Sequence, residues 1–337
     1  MPHERTPVID VCGILYDAPS WEAYLRTFAA RTPAYLSVFA GRFAVLAGLD
    51  PRVVAETARR DPVAAAELLI AAGTLDADVR AHVEALDRDG VRAQVIAGGH
   101  AELASGDGTI NDRVAALAAE APGRLVPFAG LSLREGSDAV GELRRCVGEL
   151  GMRGAAITHF LDDADPLGAA SRAVYVEAEQ LGVPLWIHTG HNLSSRHRPD
   201  HCTWRELDAI ARDHPQLTLI AGHGGWPWVL EMVSICQRHV NVHLEISSHR
   251  PARMAIAGSG WEPLLAHGAT TIRSKVLFGT MSWVHDCSIR ELADEVEQLG
   301  IGDRTARRWL HDNAARVLGL PPGEAPPASA RAQEAVR

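Results

Sequence analysis

Two stretches decide the fold: Pro184-Leu185-Trp186-Ile187-His188 and Leu217-Thr218-Leu219-Ile220-Ala221-Gly222-His223. Each is a short, almost wholly apolar run that ends in histidine, as a strand buried on both faces reads. A parallel strand of this kind delivers its last side chain where barrel enzymes place their chemistry. Working outward, comparable runs occupy 8–12, 91–97, 124–131, 154–157, 240–246 and 276–278, giving eight strands in all. Helical patterns fall between them at 78–89, 110–120, 137–150, 168–181, 203–213, 227–238 and 259–267, with two more at 288–298 and 303–318. Strands alternating with helices imply right-handed crossovers and a parallel sheet. Eight such units in about 250 residues are the size of a (β/α)8 TIM barrel; a doubly wound open sheet is the alternative. The barrel domain is expected over 1–320. Its first strand is followed by a helical insertion at 13–77, patterned at 21–30, 34–47 and 51–72 and broken by Pro33, Pro51, Pro62 and Gly73. The Pro- and Ala-rich segment 321–337 reads as a disordered tail.

The chain of 337 residues is 47% hydrophobic and 22% charged, with a net charge of −9. That acidity argues against a nucleic-acid backbone or an anionic membrane surface, both of which select clustered cations. A small-molecule substrate is the partner the composition favours. The five scattered cysteines have no paired spacing and read as reduced thiols of a cytoplasmic protein. No apolar run approaches the roughly 18 residues of a membrane span, and no signal peptide is expected. Lys275 is the only lysine.

His188 and His223, ending adjacent strands, point into one barrel mouth. A lone histidine is readily a hydrogen-bonded core residue, but two in equivalent positions suggest a site of metal-binding origin. Further polar groups fall at the same end: His100 after the second strand, His159 after the fourth, His191 after the fifth, Trp226 after the sixth, and Glu245 and Ser247 at the seventh. Such a mouth suits metal binding or proton transfer near neutral pH. His191, His223 and Glu245 are the candidates for proton handling, and His100, His159 and Trp226 for substrate contact.

The runs Trp186-Ile187-His188-Thr189-Gly190-His191, Ala221-Gly222-His223-Gly224-Gly225-Trp226-Pro227, Asn241-Val242-His243-Leu244-Glu245-Ile246-Ser247, Val276-Leu277-Phe278-Gly279-Thr280 and Asn313-Ala314-Ala315-Arg316-Val317-Leu318 together resemble the amidohydrolase-related branch of the amidohydrolase superfamily. That branch includes aminocarboxymuconate-semialdehyde and resorcylate-type decarboxylases. The resemblance implies a metal held by an Asp-x-His-x-His motif on strand one, by histidines ending strands five and six, and by an aspartate ending strand eight. His188 and His223 fall on two of those positions. Cys12 and Ile14 replace the strand-one histidines, and Met281 replaces the aspartate.

Isoleucine offers no donor, and a thioether neither holds a hard cation nor accepts a proton. Cys12, His188 and His223 are the candidate three-ligand set for one divalent metal, zinc first and iron or manganese next; a metal-free site is the other outcome. The resemblance thus implies an altered or partly lost metal centre. The leading expectation is a degenerate subunit, a pseudoenzyme paired with a metal-bearing homologue, as in some metallo-oxygenase systems of the superfamily, or else a homodimer. The alternatives are a divergent metal-dependent hydrolase or non-oxidative decarboxylase of a small carboxylated substrate, and a metal-free lyase or small-molecule-binding protein.

Overall fold

The computed structural model describes residues 6–194 and 197–321. Eight strands, β1 (Val8–Gly13), β2 (Val91–Ala97), β3 (Leu125–Gly130), β4 (Gly154–Ile157), β5 (Leu185–His188), β6 (Leu219–Gly222), β7 (Val242–Glu245) and β8 (Val276–Leu277), lie parallel in sequence order. The ring closes where the Val11 N–H donates to the Phe278 carbonyl (3.0 Å) and the Met281 N–H to the Cys12 carbonyl (2.8 Å). This is the (β/α)8 barrel expected from the apolar runs.

The strands read as continuous apolar runs because both their faces are covered. Ile9, Val11, Val95, Val126, Phe128, Trp186, Ile220 and Leu277 fill the barrel interior. Their neighbours Val8, Leu185, Ile187, Leu219, Val242, Leu244 and Val276 pack outward under the helices. The amino-terminal end of the barrel is plugged by Ala314, Ala315 and Leu318, which join the interior cluster. They lie at the end of a helix running from Asp303 to Val317, with a π-turn at Arg308–Asp312. Lys275 sits at this same end, its Nζ donating to the carbonyls of His239 (3.1 Å) and Val240.

The insertion after β1 is four helices: α1 (Ala18–Arg31), α2 (Pro33–Leu46), α3 (Pro51–Arg60) and α4 (Pro62–Ala71). The pattern at 51–72 divides at Asp61, whose carboxylate accepts from the N–H groups of Val63 (2.9 Å) and Ala64 (3.0 Å). Pro62 then begins α4 at the position where a missing N–H costs nothing. Two short helices not anticipated from the sequence, His159–Asp162 and Pro251–Met254, follow β4 and β7 at the carboxyl end. Among the described residues no helix is long and apolar enough to cross a membrane, and all five cysteines are free. The tail expected from Pro321 lies, beyond that residue, outside the described residues.

The barrel seam is pinned by the fully buried Asp10. Its carboxylate accepts from Gln94 Nε2 (2.8 Å) on β2, from Thr280 N (2.9 Å) and Oγ1 (2.6 Å) beyond β8, and from its own strand's Cys12 N (3.1 Å). Burial raises the Asp10 carboxyl to about 6, partly offset by these donors. Asp10→Ala strands several buried donors and should lower stability by about 3–5 kcal/mol in denaturant titration. Asp10→Asn keeps an oxygen for the two backbone N–H groups and should cost less than half as much.

Candidate functional site

The carboxyl ends of the strands open into a cavity of about 490 Å³, roofed by α1 and α2. His188 and His223 stand in its floor, their ring centroids 5.0 Å apart and their planes at 74°. Three non-glycine residues with positive φ cluster here: His223 (61°), Ser248 (62°) and Met281 (48°), following β6, β7 and β8 respectively. Left-handed backbone at such residues is costly and concentrates at functional sites.

Beneath His223 runs a hydrogen-bonded chain. His223 Nδ1 lies 2.8 Å from Ser247 Oγ, and Ser247 Oγ donates to Glu245 Oε2 at 2.8 Å. The same carboxylate accepts from Trp186 Nε1 (3.1 Å), from the His223 N–H (3.3 Å) and from the Ser247 N–H. Glu245 is thus fully buried, not on the cavity wall, and reaches the His223 imidazole only through Ser247. With Nδ1 committed to Ser247, Nε2 is the nitrogen of His223 left for a ligand.

Burial holds His188 down to about 3 and His223 well below its ordinary value, helped by the neighbouring imidazoles. Both are neutral at physiological pH. Burial also pushes the Glu245 carboxyl up to about 7, against the hydrogen bonds it accepts from Ser247 and Trp186. The Cys12 thiol is raised well above its ordinary value by burial and by the Glu245 charge, so it stays protonated.

The residues read from the sequence divide as follows. Cys12, His188, His223, His100, His191 and Trp226 all line the cavity. Cys12 nevertheless closes no ligand set with His188 and His223: among the described residues no group of three or more His, Cys, Asp or Glu side chains is placed to hold a metal ion. His159 is not on the wall. It opens a one-turn helix that swings its ring outward, with Nε2 3.0 Å from the Tyr175 hydroxyl, so the expected placement at the mouth is corrected. His100 stands at the rim with Nε2 3.1 Å from Arg31, whose guanidinium is 3.4 Å from Asp162. The Trp226 indole donates to the Ser259 carbonyl (3.0 Å), fixing the loop that carries it.

His249, missed in the sequence, also lines the cavity. Its ring packs 4.9 Å from Trp261 and 5.9 Å from Trp226, and burial lowers it to about 4. Its signal was its place two residues after Ser247, just past the strand end.

The amidohydrolase family model matches residues 44–320. The chain belongs to the amidohydrolase family. It is 29% identical over 170 residues to a gamma-resorcylate decarboxylase of Rhizobium sp. (strain MTP-10005), a match covering 42% of this chain and 51% of that protein. The chain thus spans about half the length of the curated relatives it matches. An uncharacterized TIM-barrel protein from Bordetella bronchiseptica superposes with a TM-score of 0.61 at 21% identity, covering 93% of this chain and 99% of that one. A dihydroxybenzoic acid decarboxylase from Polaromonas sp. JS666, solved with bound manganese and 2-nitroresorcinol, superposes with a TM-score of 0.60 at 17% identity over 95% and 99% of the two chains.

The Glu245–Ser247–His223 chain has a direction set by pH. Above about 7 Glu245 is ionised, Ser247 donates to it, and His223 carries its proton on Nδ1. Below about 7 the proton resides on Glu245, the hydroxyl turns, and His223 carries its proton on Nε2. Nitrogen NMR of the His223 ring should therefore show a tautomer switch centred near pH 7 in the native protein and none in Glu245→Gln.

Proposed function

We propose that this protein is a divergent non-oxidative carboxy-lyase of a small aromatic acid, with His223 delivering the proton. The observation that carries the reading is the buried chain from Glu245 through Ser247 to His223 beneath an aromatic-lined cavity. The decarboxylase relatives support it, and they favour a divergent decarboxylase over a degenerate subunit paired with a metal-bearing homologue.

The manganese of the Polaromonas enzyme supports a divalent metal as the cofactor of such relatives. The residues here do not fit that ion. Manganese prefers carboxylate, carbonyl and water oxygens, whereas the positions that the family resemblance assigns to ligands hold Ile14, the soft thioether of Met281 and the soft sulfur of Cys12. Two neutral imidazoles are what is left. No step is therefore routed through a metal.

The proposed reaction needs a proton at the ring carbon that bears the carboxylate. His223 Nε2–H donates it to that carbon. The bond to the carboxylate then breaks, its electron pair returning to the ring as CO2 leaves. Ser247 Oγ–H passes a proton to His223 Nδ1 and takes one from the Glu245 carboxyl, so the net donor is Glu245. His188, 5.0 Å from His223, is placed to hydrogen-bond the departing carboxylate.

The test is incubation with 2,6-dihydroxybenzoate and related hydroxybenzoates in deuterium oxide. CO2 release with one deuterium at the vacated carbon is expected, and absence of both across the panel would sink the reading. His223→Ala should lower the rate by about 10²–10⁴-fold. Ser247→Ala, which cuts the chain but leaves the imidazole, should lower kcat more than it raises KM. Elemental analysis of protein purified without added metal should find well under one equivalent, and chelator treatment should leave turnover unchanged. A stoichiometric metal whose removal abolishes turnover would overturn the metal-free step.

A further inference from the structure

The roof of the cavity is built differently from its floor. Tyr24 and Phe28 on α1, Tyr35 and Phe39 on α2, and Trp283 beyond β8 all line it. Their rings form a nearly unbroken belt: Tyr24 to Phe28 at 4.4 Å, Phe28 to Tyr35 at 6.1 Å, Tyr35 to Phe39 at 6.1 Å and Phe39 to Trp283 at 5.4 Å. From the belt a second line descends to the floor. Tyr35 stacks on Phe160 at 5.2 Å and 16°, and Phe160 meets His188 edge-on at 4.8 Å. The Tyr35 hydroxyl accepts the Leu193 N–H (3.0 Å), tying this wall to the loop after β5. Among the described residues, no lysine or arginine lines the cavity.

This wall is too large for one ring. A dihydroxybenzoate has about 11 non-hydrogen atoms, and even at the roughly 30 Å³ each that water takes in the liquid it would occupy about 330 Å³ of the 490 Å³. The ring-rich wall offers apolar and ring contacts, which aromatic side chains supply in quantity.

Resting on the carboxy-lyase reading, we infer that the substrate is an aryl carboxylic acid carrying a second ring or a comparably bulky apolar group. Its acid end meets His188 and His223, and its far end packs between Phe28, Tyr35, Phe39 and Trp283. The insertion is in this sense the specificity element, and the barrel floor the reacting one.

The test compares 3-phenylsalicylate, a two-ring probe, with 2,6-dihydroxybenzoate, a one-ring probe, by quenching of tryptophan fluorescence and by CO2 release. The two-ring acid is expected to bind at least about tenfold tighter. Phe28→Ala should remove most of that advantage while leaving one-ring binding within about twofold, and Phe28→Leu, which keeps bulk, guards against a folding defect. Equal or tighter binding of the one-ring acid would overturn the inference and, if CO2 is released, leave the lyase reading standing. Tight two-ring binding without CO2 or deuterium incorporation would support the assignment of the wall and overturn the lyase reading instead.

Discussion

A barrel of parallel strands has no edge only if its last strand finds its first, and here two backbone hydrogen bonds make that junction and one buried carboxylate holds it. β8 is two residues long and contributes little ladder of its own. Asp10 compensates by gathering donors from β1, from β2 and from the turn after β8. Everything at the mouth hangs from that closure, because Cys12, Gly279 and Met281 stand beside it. Glu245 makes a second tie, joining Trp186 of β5, the backbone of His223 after β6 and Ser247 after β7. The two carboxylates tie different sets of strands and meet on either side of Cys12. Each is raised by burial, so the fold tolerates two costly groups where their geometry is needed.

Much of this was legible in the sequence, and for a physical reason. Strands covered on both faces must be apolar throughout, so runs such as Leu185-Trp186-Ile187 and Leu219-Ile220-Ala221 announced themselves, and the residue ending each run had to emerge at the mouth. That is why His188 and His223 could be paired before any coordinates. His159 shows where the rule fails. It lies two residues past the end of β4 rather than on it, and the one-turn helix it begins rotates the ring outward to Tyr175. The aromatic belt was invisible for a different reason. Helical spacing identifies an apolar face but not what that face covers, and Tyr24, Phe28, Tyr35 and Phe39 would read equally well as an ordinary core.

The barrel mouth is lined more by imidazoles and aromatic rings than by charged groups. The family resemblance implies histidines at positions 12 and 14 and an aspartate at 281, where this chain has Cys12, Ile14 and Met281. The surrounding wall is aromatic, and among the described residues no lysine or arginine lines it. Left-handed backbone is concentrated at the same mouth, at His223, Ser248 and Met281, as backbone strain is at functional sites.

The plug at the amino-terminal end sets an order of events during synthesis. Ala314, Ala315 and Leu318 fill the base of the barrel, and Phe278 is held by the Trp309 carbonyl at 3.0 Å. β1 emerges from the ribosome early, yet its partner strand and the plug beneath it lie some 270 residues later, as the Asp10–Thr280 pairing measures. Until then the nascent chain carries an open sheet with exposed edges, the form most prone to wrong pairing. The insertion follows β1 directly, and its local helix contacts form without waiting for closure, so the first part of this protein to become compact is the lid of a cavity that does not yet exist.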